Sequence, residues 1–202
     1  QPAAVLEKVR ACFESIPGGG QRAEDIRSVE PEQSGERRIE VCRPGNATYW
    51  IAAYHIPAYT HADRLPLLVL EAVLSGASSL GWSGGGSLGE SARLPEMLVN
   101  RKKLAVSTQA SARFLRDPGL FYLWAMLRDG VQPGRLEAAM FAEIGKLQDR
   151  GPSQPELRTA LHQVRAQMEY ARDGITANAH LIGRQDTFGN LAELDTLADQ
   201  VA

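Results

Sequence analysis

Thr48–Tyr49–Trp50–Ile51–Ala52–Ala53–Tyr54–His55–Ile56–Pro57, running on through Asp63 into Arg64–Ser75, is the stretch whose reading decides the fold. Its first part is aromatic and β-branched and stops at a proline, which predicts a strand buried on both faces. A polar turn follows, Ala58–Asp63, in which Thr60 and Asp63 have the spacing of a capping box. Leu65, Leu67, Leu68, Val69, Leu70, Val73 and Leu74 then make a helix that is apolar around most of its circumference. Such a helix has to be buried, so strand and helix together are expected at the centre of the core.

Outward from that stretch the chain reads as alternating helical and extended segments. Upstream, Pro2 suits the first turn of a helix whose apolar side is Val5, Leu6, Val9, Cys12, Phe13 and Ile16, ended by Pro17–Gly18–Gly19–Gly20. Gln21–Gly35 is a polar connector, and Arg37–Arg43, with Ile39 and Val41 alternating against Arg38 and Glu40, reads as a strand with one wet face. Downstream lies Ser75–Glu90, nearly all glycine, serine and small residues around Trp82, then a shorter helix over Ser91–Lys103 with Leu94, Met97 and Leu98 inward. Leu104–Leu115 and Leu120–Arg128 are expected to pair as an antiparallel hairpin around Arg116–Asp117–Pro118–Gly119. Two helices close the pattern. The first carries Leu136, Ala139, Met140, Ile144 and Leu147; the second is capped by Ser153 and Glu156 and carries Leu157, Leu161, Val164, Met168 and Ile175. The order predicts an α+β fold, a mainly antiparallel four-stranded sheet with helices packed against it.

Composition narrows function without naming it. The chain has 202 residues, 44% of them hydrophobic and 23% charged, with a net charge of −2. Those values describe an ordinary globular chain and give no signature of nucleic-acid or anionic-membrane binding, and no run has the length of a membrane span. Cys12 and Cys42 form neither a disulfide framework nor a metal pattern. The opening Gln1–Pro2 is read as the start of an excised piece of a longer protein.

Two catalytic patterns overlap in the glycine stretch, and both lack their context. Gly81–Trp82–Ser83–Gly84–Gly85 matches the Gly-x-Ser-x-Gly elbow of serine hydrolases, which needs a strand before the serine and a helix directly after it. Here the preceding segment is a helix end. Gly84–Gly85–Gly86–Ser87–Leu88–Gly89 matches the dinucleotide fingerprint, which also needs a strand upstream and an acid about twenty residues on. Ser107–Thr108 stands in that region instead. His55, His61 and Asp63 are metal-ligand residue types, set against the simpler reading of a strand end and a solvated turn. Arg101–Lys102–Lys103 reads as a solvated helix end.

Several stretches nevertheless resemble one family in the same order: Glu30–Pro31–Glu32–Gln33–Ser34–Gly35–Glu36–Arg37–Arg38, Ala53–Pro57, the buried helix led by Asp63, Ser91–Ala92–Arg93–Leu94, and Pro152–Ser153–Gln154–Pro155–Glu156–Leu157. The chain resembles the pitrilysin or insulinase family of zinc metallopeptidases, which includes the mitochondrial processing peptidases, over the non-catalytic second half of the family's repeated domain. The resemblance implies residues 1–35 as an N-terminal helix and connector from the preceding half-domain, and 36–202 as the inactive peptidase domain. In the family, zinc is held by an inverted His-x-x-Glu-His motif plus a downstream glutamate, all in the preceding half. This chain contains no His-x-x-Glu-His, so by this resemblance it has no ligands with which to activate water. Its implied role is to complete the zinc-bearing half's fold and to line part of the substrate chamber, with zinc belonging to the parent and no cofactor to this chain. Implied partners are the zinc-bearing half-domain and a peptide substrate, with a homo- or heterodimer compatible with either. The resemblance leans towards the periplasm of a bacterium for the parent.

Within the resemblance, Gly84, Gly85, Gly86 and Gly89 fall in a loop similar to the glycine-rich loop of the non-catalytic processing-peptidase subunit, and are the substrate-binding candidates. Two departures stand out. Pro95 follows Ala92–Arg93–Leu94 where family members carry a tyrosine, and Val99 and Val106 stand where active partner domains present an arginine and a tyrosine to substrate. The chain is therefore either the tail of the zinc-bearing domain or a partner domain without its polar pair. The alternatives are a catalytically inactive structural or interaction subunit of the same family, and an unrelated α+β binding module.

Overall fold

The computed structural model describes residues 2–17, 31–77, 89–189 and 191–193. The chain divides into two compact units, Gln1–Arg43 and Pro44–Ala202. The first contains α1 (Pro2–Phe13), with Val5, Leu6, Val9 and Phe13 all exposed, and the extended residues 31–43.

The second unit is built on a three-stranded antiparallel sheet in the order β1 (Tyr49–Ile56), β3 (Gly119–Leu127), β2 (Ala105–Arg113). The expected fourth strand is absent from it. Arg37–Arg43 runs extended with Ile39 and Val41 exposed and enters no ladder among the described residues. An alternating pattern makes a strand only where a sheet edge receives its hydrogen bonds, and local composition cannot supply that edge. A second correction follows from strand order. β3, which has a neighbour on each side, is central, and Tyr49–Ile56 lies at the edge, with Tyr49 and Ile51 exposed rather than buried. The β2–β3 hairpin forms as expected, with Ser107 opposite Met126 and Arg113 opposite Leu120. A bulge between Ala105 and Ser107 turns Val106 out to solvent, half exposed.

All helices of this unit that touch the sheet lie on one face. α2 (Arg64–Ser75) packs on β2, where Ala110 and Ala112 are small enough to let the helix approach closely. A π-helix, Pro95–Arg101, replaces most of the helix expected over Ser91–Lys103, and it buries Leu98 as its neighbour Leu94 is buried. α3 (Pro133–Arg150) covers β1, where Trp50 donates from Nε1 to Glu137 at 3.1 Å and meets Phe141 edge-to-face. Leu94, Leu98, Leu123, Leu127, Leu136 and Met140 form the main core between these layers.

The other side of α2 carries a third layer. α4 (Gln154–Asp173) packs there through Ala160, Val164 and Met168 against Ala72 and Val73, which is why α2 needs apolar residues on nearly every side. α5 (Ile175–Phe188) follows after Gly174, whose extended backbone ends α4. Ile175, expected on the apolar side of α4, therefore starts the next helix and is exposed. α5 is tied down by the Tyr59 hydroxyl, which donates to buried Gln185 at 2.7 Å beneath the Arg64 guanidinium.

The two expected capping boxes have opposite outcomes. Ser153 precedes α4 in extended backbone, and its hydroxyl accepts from the Glu156 amide while the Glu156 carboxylate accepts from the Ser153 amide at 2.8 Å. Asp63 stands at the cap of α2 with helical φ and ψ of −72° and −4°, and its side chain makes no cap bond. The helix begins at Arg64, one residue after Asp63, and the Asp63 amide that Thr60 would accept is given to His61 Nδ1 instead, so the Thr60–Asp63 box does not form.

Glu156 serves a second purpose. Its carboxylate takes two hydrogen bonds from Arg93, at 3.0 and 2.8 Å, which tie the segment before the π-helix to the start of α4. Burial pushes the carboxyl up, but the bonds from Ser153 and Arg93 outweigh it and hold it below its ordinary value. A depressed carboxylate contributes stability above its unfolded value and loses it as pH falls through the folded one. Arg93→Ala should therefore cost about 1 kcal/mol at neutral pH, discounted for partial solvent exposure. The deficit should shrink on acidification below the ordinary carboxylate range. A deficit that stays constant across that range in urea titrations rules out the charge pairing as its source.

The described residues on either side of the glycine stretch meet each other. The Ser75 hydroxyl donates to the Ala110 carbonyl at 3.1 Å and accepts the Ala110 amide at 2.8 Å, and Gly89 returns against the Ser75 carbonyl so closely that a Cβ there would collide with it. That neighbour is backbone and cannot step aside. Gly89→Ala should cost about 1–3 kcal/mol. Gly145→Ala, in open space within α3, should instead stabilise by up to about 1 kcal/mol. Thermal melts of the pair that shift in the same direction contradict this packing.

Candidate functional site

Strand geometry and the position of the helices create one broad exposed feature. Successive strand side chains alternate in face, and Trp50 points into the helical layer towards α3. Tyr49, Ile51 and Ala53 therefore share the opposite face, where the register sets Tyr49 beside Met126, Ile51 beside Trp124 and Ala53 beside Tyr122. β2 adds Ser107, Gln109, Ser111 and Arg113 to the same face. Tyr49 is 59% and Ile51 65% exposed, while Tyr122, Trp124 and Met126 are half-buried. Trp124 Nε1 donates to Gln109 Oε1 at 2.9 Å, which ties the indole to the neighbouring strand β2. The face is thus apolar and aromatic along β1 and β3 and polar along β2. The expectation of a doubly buried β1 concealed it, because Tyr49, Trp50, Ile51, Ala52 and Ala53 carry no apolar–polar alternation to mark one side as exposed.

The two described ends of the glycine stretch belong to this unit. Ser75 and Gly89 meet beside Ala110, and Ala77 is buried, its amide donating to Gln163 Oε1 at 3.4 Å. Of the four candidate glycines only Gly89 is among the described residues; Gly84, Gly85 and Gly86 lie outside them, as do Ser83 of the hydrolase-like pattern and all of the dinucleotide-like pattern but Gly89.

The remaining candidates are dispersed. His61 Nδ1 accepts the Asp63 amide at 3.1 Å and lies 3.5 Å from the Asp63 carboxylate, while His55 stands on β1. Among the described residues no three His, Cys, Asp or Glu side chains converge on one point, so this donor set does not fit zinc. Cys12 and Cys42 are free and exposed. Val99 packs half-buried against the main core, and Val106 stands half exposed on β2. No described helix is long and apolar enough to cross a membrane.

Comparison with known proteins agrees with this arrangement. Among curated protein sequences none matches significantly. A protease from Helicobacter pylori superposes on the whole of this chain with a TM-score of 0.85 at 23% identity, the match covering 46% of that protein. This chain therefore spans less than half the length of that protease. The "inactive peptidase domain of a putative zinc protease" from Bordetella parapertussis matches 81% of this chain and 82% of its own, with a TM-score of 0.62 at 20% identity. A "putative zinc protease" from Bordetella pertussis Tohama I matches 76% of this chain and 78% of its own, with a TM-score of 0.61 at 20% identity. At such identities these likenesses establish the fold. The sequence profile described as the Peptidase M16 inactive domain matches residues 1–164, and on that match the chain belongs to the Peptidase M16 inactive-domain family.

Proposed function

We propose that this chain is the non-catalytic, structural and chamber-lining domain of a zinc-dependent metalloprotease whose zinc site lies upstream of it. The observation that carries this reading is the match of residues 1–164 to a peptidase domain described as inactive. The zinc-protease names of the Bordetella proteins support zinc in the parent, and in this reading its ligands belong to another part of the polypeptide. The partner of this chain is then the zinc-bearing half-domain.

A chamber wall needs no catalytic group. It needs a broad surface that accepts peptides of varied sequence, and the face with Tyr49, Ile51, Tyr122 and Trp124, opposite α2 and α3, has that character. The loop carrying Gly84, Gly85, Gly86 and Gly89 contributes main-chain groups to extended peptide, with little sequence selectivity. A second reading, a catalytically inactive structural or interaction subunit, is favoured by Val99 and Val106, which offer peptide no polar contact.

The parent polypeptide separates the two. In the protease reading it binds stoichiometric zinc and hydrolyses unstructured peptides, while this chain alone does neither. Shortening the loop between Ser83 and Leu88, so that Gly89 keeps its packing, should raise the parent's KM several-fold and leave the melting temperature of this chain unchanged. A parent with no zinc and no hydrolysis establishes the structural subunit. Wild-type KM and kcat in the shortened parent reduce the loop to a connector.

A further inference from the structure

The two edges of the sheet are treated differently. At β2 the outward-pointing backbone groups are consumed by α2: the Ala112 amide donates to the buried Glu71 carboxyl at 2.8 Å, and the Ala110 amide and carbonyl both bond the Ser75 hydroxyl. Glu71 and Ser75 are four residues apart and so lie on one side of the helix, which caps the edge along two successive outward positions. A further strand cannot pair there.

β1 has no such cover from the described elements of its own unit. The Leu127 amide donates to the Thr48 carbonyl at 2.9 Å, so Thr48, and with it Trp50 and Ala52, direct their backbone groups towards β3. Tyr49, Ile51 and Ala53 consequently direct theirs outward, and β1 is the last described strand on that side. Edge strands of free-standing domains are normally blunted by charges, prolines or bulges. β1 is eight residues long, Tyr49–Ile56, contains no Lys, Arg, Asp, Glu or Pro, and keeps unbroken register with β3.

We infer that the outer edge of β1, at Tyr49, Ile51 and Ala53, is an interface that receives an extended strand from the zinc-bearing half of the parent. The inference rests on the reading of this chain as one part of a longer protease. The occupant follows from the size of what lies outside: the match spans 46% of the Helicobacter protease, leaving a body larger than this chain to be joined to it. The incoming strand accepts hydrogen bonds from the amides of Tyr49, Ile51 and Ala53 and returns bonds to their carbonyls. Its apolar side chains lie beside Tyr49 and Ile51, which continue the sheet's surface past Trp124 and Tyr122.

Amide hydrogen exchange resolved by residue, on the intact parent and on this chain alone, tests the pairing. The amides of Tyr49, Ile51 and Ala53 should exchange at least about 100-fold more slowly in the parent, while those of Trp50 and Ala52, bonded to β3, are slow in both. Ile51→Pro removes only an outward donor, so it should leave the melting temperature of this chain within a few degrees of wild type and lower that of the parent by more. Equal exchange in both proteins overturns the inference. So does protection in this chain alone that rises with concentration, which makes a second copy the occupant, or protection in the parent that needs added peptide, which makes it the substrate. Zinc content measured on the same parent reports on the protease reading separately: protected amides in a zinc-free parent sink that reading and leave the strand pairing standing.

Discussion

The buried carboxyl of Glu71 and the hydroxyl of Ser75, both on α2, hold this fold to a single arrangement. An unpaired carboxyl in the core is costly, and so is an unpaired strand amide. Each is satisfied by the other, the Glu71 carboxyl accepting the Ala112 amide and the Ser75 hydroxyl bridging the amide and carbonyl of Ala110. These bonds set how far along β2 the helix can sit. A shift by one residue would break all three of these bonds. The small side chains of Ala110 and Ala112 are needed for the same contact, because bulk there would hold the helix off the strand.

From that placement the remaining layers follow. With α2 held on β2, its outer side is presented to α4, and Ala72 and Val73 meet Ala160, Val164 and Met168. The start of α4 is held by its own capping box and by Arg93, so the segment ahead of the π-helix is tied to the layer furthest from the sheet. Ser75 is also the last residue of α2, and the loop that leaves there returns at Gly89 against its carbonyl. One contact thereby closes a sheet edge, sets the helix register and brings together the feet of the glycine loop.

The two sides of the sheet differ in character. The helical side is layered and cross-tied, while the opposite face of the sheet presents aromatic rings with only Arg113 as a charge along the three strands. A surface of that kind, apolar and aromatic with few charges, offers broad contact and little chemical selectivity.

Local patterns in the chain were enough for much of this. The apolar circumference of α2 demanded burial and received it from both sides; the Arg116–Gly119 turn gave the hairpin; Ser153 and Glu156 gave the start of α4. The ordered resemblances also pointed to the inactive half of a zinc metallopeptidase, and the family match agrees. Each of these depends on residues a few positions apart, where propensity, capping and turn chemistry act. Strand order does not. Whether Tyr49–Ile56 is central, whether Arg37–Arg43 joins a sheet and whether Thr60–Asp63 closes a cap depend on partners brought together by the fold or on backbone angles imposed by it. An aromatic strand reads the same at an edge as in a centre, because side-chain composition reports apolarity and not which neighbour supplies the burial. Only the tertiary structure, by seating Glu71 and Ser75 against β2 and leaving Tyr49, Ile51 and Ala53 directed outward, decided which edge of the sheet is closed.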